Sequence, residues 1–394
     1  MPWRQVQPMT ERLRFITDVR RRVASFSELC RHYRISRPTG YKWVQRADQR
    51  GLDYLAELSR RPRTCPHETA PELVGALIEA RRHHPGWGPR KLLRLLRRRR
   101  RGGDLPARST VAAILRRHGL VLPRRRRRYP GHPGRPLTPM SASNVVWTAD
   151  YKGQFKTGDG RYCYPLTVQD GFSRFLLACR GLTGTTYAEC RPVFERLFQE
   201  YGLPEILRTD NGVPFATGAL GRLSTLSVWW IRLGIHPELI EPGQPQQNGR
   251  HERMHRTLKR ETARPSAPTL RSQQQRFDVF RTEYNAVRPH EALHDETPAA
   301  LYTRSPRPYP SQLESLEYPG HYEVRLVSRN GGIRWNSRWV NVSHVLAGEY
   351  VGLVEIDDAE WDLYFGSLRL GRFHERLLRI EDALGHLARR KNRV

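Results

Sequence analysis

Lysine is nearly missing from this chain. Only six occur in 394 residues, Lys42, Lys91, Lys152, Lys156, Lys259 and Lys391, although Lys+Arg total 68 against 39 Asp+Glu. The formal charge of +29 is therefore carried by arginine, whose planar fork matches a phosphate better than an ammonium point charge does. So basic a chain calls for a polyanionic partner. Nucleic acid is the first reading, ribosomal or membrane-surface binding the remaining classes, and GC-rich codon usage the bland source of the arginine. Cysteine is equally sparse. Cys30, Cys65, Cys163, Cys179 and Cys190 are odd in number and hold no C-x-x-C pair, which excludes a disulfide framework and suits a reducing cytoplasm. Cys30 with His32, and Cys65 with His67, are one residue too close for the usual zinc spacing, so both pairs are taken as ordinary core or surface residues. Long apolar runs are absent too. No stretch approaches eighteen residues, and "MPWRQVQPMTERLRF" has no apolar segment after a basic start, so neither a membrane span nor an export signal is expected.

The length suits two to four domains. Residues 1–50 are expected to form a helix-turn-helix: Phe26, Leu29, Cys30 and Tyr33 share an apolar face, Ser36 can cap a second helix with Pro38 in its first turn, and Val44 lies on its buried side. Arg37, Thr39, Lys42 and Gln45 then face outward, where such a helix meets a major groove. A plain helical hairpin is the alternative. Residues 66–122 repeat the theme as a second three-helix, winged-helix or helix-turn-helix-like unit. Its signals are a Thr69 to Glu72 capping box, a break and restart at "HPGWGPRKLLRLL", and a third helix from Ser109 to Gly119. Five like charges at Arg97 to Arg101 repel one another, so a phosphate contact is their expected use. The segment 123–143, with Arg124, Arg125, Arg126, Arg127 and Arg128 among prolines and glycines, is expected to be an extended linker that tracks a DNA backbone.

From Val145 the apolar period changes to that of strands. "VVWTADYKGQF", "YCYPLTVQD" and "SRFLLACRGL" give three strands, Thr186 to Tyr201 an amphipathic helix, and "EILRT" a short buried strand. A helix with Leu226 and Trp230, a strand near "GIHPELI", the loop "EPGQPQQNG" and a helix from about Gly249 follow. Strands first, then alternating helices and strands, imply a mixed α/β sheet covered by helices over 144–305. Residues 320–375 alternate around turns such as Asn330-Gly331 and suggest a small all-β, barrel-like domain. The tail 376–394 returns to a basic helix.

Three carboxylates stand at element ends beside polar turns: Asp150 after "VVWTA", Asp210 after "EILRT", and Glu252 in the first turn after "QPQQNG". An acid at a helix start also answers the helix dipole, which accounts for Glu252 alone but not for all three. Hard oxygen donors suit Mg²⁺ or Mn²⁺, and two such ions serve an in-line phosphodiester displacement. Asp170 in "VQDGFSR" is a fourth acid, but Asp-Gly between two strands is a hairpin signal and needs no metal. Trp147, Trp229 and Trp230 are expected in the core. His251 and His255 are candidates for DNA contact on a solvated helix, with no role as the alternative.

Together "WTADY", "DGFSR", "RTDNGVPF", "PGQPQQNGRHERMHRTLKRE" and "YNAVRPHEAL" resemble, in order, the DDE transposases of bacterial insertion sequences, whose core has the retroviral-integrase type of ribonuclease H-like fold. The resemblance implies catalytic, metal-holding acids at Asp150, Asp210 and Glu252, two Mg²⁺ or Mn²⁺ ions, and end cleavage by water followed by strand transfer. It also implies double-stranded DNA partners, a homo-oligomer on DNA, and a cytoplasmic, nucleoid-associated location. Lys259, seven positions after Glu252, matches a basic residue with which that family contacts the DNA end; Arg256 and His255 share its helix face. The gap between the second and third acids is longer than usual for the family. Glu238 and Glu241 lie closer but fall on strand and loop, and the additional residues are assigned to "ATGALGRLSTLSVWW". A hydrolytic nuclease of the same fold, or a catalytically idle DNA-binding regulator, are the alternatives.

Overall fold

The computed structural model describes residues 8–51, 55, 68–99, 104–121 and 137–382. Arg124 to Arg128, Cys65 and the chain beyond 382 lie outside them. Two compact units are present, Met1–Ala70 and Pro71–Val394.

The first unit is three helices, α1 (Pro8–Arg21), α2 (Phe26–His32) and α3 (Arg37–Arg50), around Phe15, Ile16, Leu29, Cys30, Trp43 and Ala47. Ser25 and Glu28 close a capping box on α2, and Ser36 caps α3 by accepting from the Thr39 amide. A side chain at Gly40 would collide with Cys30 Sγ at 2.8 Å, so glycine permits the close crossing of α2 and α3. Arg37 and Lys42 are exposed on α3, whereas Thr39 is half-buried and tied to Ser36. Trp43 and Ala47, more than Val44, make the buried side. Cys30 is buried while His32 is exposed, so they do not form a ligand pair.

In the second unit, α4 (Pro71–His83), α5 (Pro89–Arg99) and α6 (Arg108–Arg117) pack on Leu77, Trp87, Leu92, Val111 and Ile114. Helix α6 starts at Arg108 after Ala107, which supplies no side-chain cap, so Ser109 lies within the first turn rather than at its cap. The arginine face of α5 is already paired. Arg90 meets Asp295 at 2.7 Å and Glu291 at 2.8 Å, Arg98 meets Glu296 at 2.7 Å, and Arg94 bonds the same Glu296. The expectation of a phosphate on Arg98 is thereby corrected, because its counter-charge is carried by the following domain.

That domain is a six-stranded mixed sheet: β1 (Val146–Tyr151), β2 (Phe155–Lys156), β3 (Tyr162–Asp170), β4 (Leu176–Leu182), β5 (Ile206–Thr209) and β6 (His236–Leu239), in the order β2-β3-β1-β5-β6 with β4 on β3. Helices α7 (Tyr187–Tyr201) and α8 (Thr225–Arg232) cover one face over Trp147, Phe194, Phe198, Leu207 and Trp230. Helices α9 (Gly249–Thr262) and α10 (Leu270–Ala286) cover the other over Cys179, Met254, Leu258 and Phe277. The motif "YNAVRPHEAL" secures this second layer: Asn285 accepts from the Leu176 amide at 2.8 Å and donates to its carbonyl at 3.0 Å.

Residues 323–382 hold β7 (Glu323–Leu326), a separate hairpin of β8 (Gly332–Trp335) with β9 (Arg338–Asn341), β10 (Tyr350–Asp357), β11 (Glu360–Phe365), β12 (Leu368–His374) and β13 (Arg379–Asp382), and the other five make an antiparallel sheet in the order β13-β12-β11-β10-β7. The expected turn at Asn330-Gly331 is present, with Gly331 N donating to the Ser328 carbonyl at 2.8 Å, and joins strands of different sheets; Asn336-Ser337, both with positive φ, is the two-residue turn of the β8-β9 hairpin. The expected basic helix from 376 is corrected as well: Arg379–Asp382 is strand β13, paired with β12 (Leu368–His374). This domain packs on the segment assigned to the longer acid spacing. Leu223, Val228 and Ile231 join Phe365 and Leu370 in one core, and Arg232 bonds Glu349 at 2.8 Å.

Candidate active site

Strand β1 carries Asp150 near its carboxyl end, and β5 is immediately followed by Asp210. The two strands are parallel neighbours in a register that pairs Ala149 with Thr209, so the next residue on each is one of these acids. Both stand at the same rim of the sheet, where open α/β folds place ligand sites. Asp210 is held by its own turn: Gly212 N donates to Oδ1 at 3.1 Å, while Asn211 Nδ2 donates to the Ile240 carbonyl at 2.7 Å.

Glu252 comes from α9, whose placement depends on a histidine. His251, fully buried, meets Thr148 Oγ1 of β1 and Thr167 Oγ1 of β3, each at 2.7 Å. One turn on, His255 meets Thr167 Oγ1 at 2.6 Å and puts Nδ1 3.5 Å from Asp150 Oδ2. These clamps fix the first turn of α9 over β1, and with it exposed Glu252. Burial pushes His251 down to about 3 and also lowers His255, assisted by His251 and Lys152, so both rings are neutral.

His255 is thus corrected as a DNA contact. At 5% exposure its ring faces the sheet, because residues 251, 254, 255 and 258 make the buried stripe of α9 while 252, 256 and 259 remain outside. Arg256 and Lys259 are exposed. Missed altogether was Lys152, two residues after Asp150. Burial lowers its pKa, as does nearby Lys259, against the opposing pull of Asp150 and Glu252. Only its proximity in sequence to Asp150 could have flagged it.

Asp150 is pushed up to about 7, first by burial and then by the Asp210 charge, with Glu252 adding a smaller push. The three acids therefore share one electrostatic neighbourhood, and their hard oxygens fit a divalent cation that offsets the crowding. A linkage follows. Since Asp150 binds its proton more tightly folded than unfolded, the stability it contributes is full below its ordinary value and is lost as pH rises through about 7. Neutral His251 and His255 work the other way, losing stability as pH falls through the ordinary histidine range, so the Asp150 contribution is read against Asp150→Asn: in chelator the amide is expected to raise the melting temperature, relative to wild type, more at about pH 8 than at about pH 5.5, and Mg²⁺ to narrow that difference. A change of melting temperature on substitution that is the same at both pH values would count against the shift.

The other acids have structural partners. Asp170 is fully buried and accepts from Asn144 N at 2.8 Å, Ser173 N at 2.8 Å and Ser173 Oγ at 2.6 Å. Glu238 meets Arg208 at 2.6 Å and accepts from Thr138, away from the acid cluster.

Family models described as an integrase core domain match residues 141–245 and 233–298. A helix-turn-helix domain matches residues 11–63 and a homeodomain-like domain residues 39–115. The 31.7 kDa protein of insertion element IS407 from Burkholderia multivorans is 28% identical over 232 residues, 58% of this chain and 79% of that protein. The Gag-Pol polyproteins of gibbon ape leukemia virus and koala retrovirus are each 32% identical over 115 residues, 29% of this chain but only 6% of theirs. Among solved structures, the HTLV-2 integrase catalytic core domain in complex with magnesium aligns with a TM-score of 0.33 at 15% identity, covering 41% of this chain and 99% of that one. The class is therefore a multidomain protein with a helix-turn-helix region ahead of an integrase-type core. Within it, residues 141–298 carry the matched integrase core and the chain is similar to an insertion-element protein, which supports DNA integration or transposition as the broad function. No helix among the described residues is long and apolar enough to cross a membrane.

Proposed function

We propose that this chain cuts DNA at the ends of its element and joins the exposed 3′ hydroxyls to target DNA, with Asp150, Asp210 and Glu252 as the metal-holding acids. The observation that supports the reading is the register of β1 and β5, which puts Asp150 and Asp210 side by side at one rim of the sheet, with Glu252 near enough to raise the Asp150 pKa. A pair of Mg²⁺ or Mn²⁺ ions, when bound, supplies activation of the attacking oxygen and neutralisation of the leaving oxygen. Asp150 and Asp210 present ligand oxygens from rigid strand ends, and Glu252 closes the set from α9. Lys152 stands beside the acids, with Lys259 near Lys152, where they can hold the scissile or neighbouring phosphate. Arg37, Thr39 and Lys42 of α3 serve end recognition, and two ends joined in one event call for a homo-oligomer on DNA. The test is strand transfer in Mg²⁺ with the inverted repeats that flank the gene. Cleavage without joining would indicate a nuclease, and end binding without either a regulator.

Two basic elements make separate predictions. Replacing Arg124 to Arg128 by Ser should weaken binding to every sequence and lower the slope of log affinity against log salt by about 0.9 for each phosphate no longer neutralised. An unchanged slope would make the run a spacer. Lys259 lies two turns beyond Glu252 on the outer face of α9, about 10 Å along at 1.5 Å per residue. Lys259→Ala, and more so Lys259→Glu, should impair joining of correct ends far more than bulk DNA affinity. Wild-type joining in both variants at moderate salt would make it an ordinary surface charge.

A further inference from the structure

The two histidines behind Asp150 have a proton count that their hydrogen bonds decide. Thr167 Oγ1 has three partners: the Asp150 carbonyl oxygen at 3.0 Å, His251 Nε2 at 2.7 Å and His255 Nε2 at 2.6 Å. A hydroxyl carries one proton and two lone pairs, and a carbonyl can only accept. All three contacts are hydrogen bonds in one arrangement alone: the hydroxyl donates to Asp150 O, and both rings donate from Nε2. Were the hydroxyl proton spent on a ring nitrogen instead, two acceptor oxygens would face each other at 3.0 Å. Thr148 then donates to the bare Nδ1 of His251 at 2.7 Å, in preference to the Gln169 carbonyl at 3.3 Å. In a neutral ring with its proton on Nε2, His255 Nδ1 is bare as well. That bare nitrogen faces Asp150 Oδ2 at 3.5 Å, longer than an ordinary O–H···N bond, and once the carboxyl is ionised the two are lone-pair donors turned toward each other.

We propose that His255 Nδ1 is a nitrogen ligand to the divalent ion held by Asp150, so that the acid site has a mixed oxygen and nitrogen donor set. Two cis donors about 2.1 Å from one octahedral ion lie about 3.0 Å apart, so closing the 3.5 Å found here by about 0.5 Å brings both onto it. Asp150, His251 and His255 also offer ligand atoms that all lie within 4.8 Å of one another; the hydrogen bonds of His251 leave it out of the set. A nitrogen donor moves preference away from Mg²⁺, which demands oxygen, toward the first-row ions. The inference rests on Asp150 being a metal ligand, and the experiment separates the two.

The tag-free full chain, bound to its end DNA and loaded with Mn²⁺, is probed by electron spin-echo envelope modulation. Directly coordinated ¹⁴N is expected, replaced by the ¹⁵N pattern when histidine is labelled, and abolished in His255→Gln. In that variant Mn²⁺ affinity should fall roughly tenfold, and Mg²⁺ affinity, read by competition, less than about threefold. Asp150→Asn should remove the nitrogen signal too. Bound Mn²⁺ with only carboxylate and water couplings in the wild type overturns the role of His255 and leaves the acid site standing. So does a nitrogen signal that survives His255→Gln, whereas one that survives Asp150→Asn overturns Asp150 as the holder of the ion. No Mn²⁺ binding in the wild type, even with DNA, overturns the acid-site reading itself. If His255→Gln does not fold, the wild-type spectrum with and without ¹⁵N decides.

Discussion

Asp150→Asn, Asp210→Asn and Glu252→Gln are each expected to lower cleavage and joining by on the order of 10³-fold or more, because groups that act as a unit fail together when one is removed. End binding should stay near normal in all three, since the sequence-reading helices belong to other parts of the chain. Each substitution keeps the side chain's size and removes the charge that holds a cation. The stability readout differs among them. Asp150 is crowded by burial and by Asp210, so the amide at this position should leave the metal-free protein as stable as before or more so. Exposed Glu252 relieves little when neutralised. Cleavage and joining are measured on labelled end duplexes in Mg²⁺, binding by mobility shift in chelator. A variant that joins ends within a few-fold of wild type would strike that residue from the site.

Asp170→Ala should do the reverse. It is expected to cost roughly 3 kcal/mol, because it strands two buried backbone N–H groups, of Asn144 and Ser173, that the carboxylate now satisfies. Burial raises the Asp170 pKa, while the bonds from Ser173, Asn144 and Phe172 oppose that shift and keep a carboxylate workable there. The loss should reach the neighbouring chain, since Asn144 Oδ1 in turn accepts from Trp147 Nε1 at 3.0 Å and Tyr302 OH at 2.9 Å. A fall in melting temperature on the order of 5–10 °C is anticipated for a domain of this size. The protein that remains folded should keep its response to Mg²⁺. A variant of unchanged melting temperature that has lost its metal response would move Asp170 from the scaffold into the site. A half-buried and a fully buried aspartate, each near a strand end, are thereby told apart by what fails first.

Much of this was legible along the chain. The shift from helical to alternating periodicity near Val145 marked the sheet, and the caps at Ser36 and Thr186 marked helix starts, because caps and patterning act over three or four residues. Asp150, Asp210 and Glu252 stood out for a similar local reason: each is an acid at an element end beside a polar turn. Asp170 was separable from them by the Asp-Gly that follows it. Long-range packing was not legible. The turn at Asn330-Gly331 could be read from two residues, whereas the hairpin turn at Asn336-Ser337 shows only in the pairing of Trp335 with Arg338.

Charge and composition determined, before any folding, that this chain meets a polyanion, and motif order determined its integrase-type core. Tertiary structure alone decided which charges are available for that partner. Arg98, in the run Arg97 to Arg101, looks like a phosphate ligand when read along the chain, yet Glu296, some two hundred positions later, neutralises it, as Glu291, Asp295 and Glu296 do Arg90 and Arg94 on the same helix. His255 looks like a solvated helix residue until the stripe of α9 that faces the sheet is known, after which it is a buried ring aimed at Asp150. The reason is one of range. Periodicity and caps are set by neighbours in sequence, whereas desolvation and ion pairing are set by whatever the fold brings within a few ångströms.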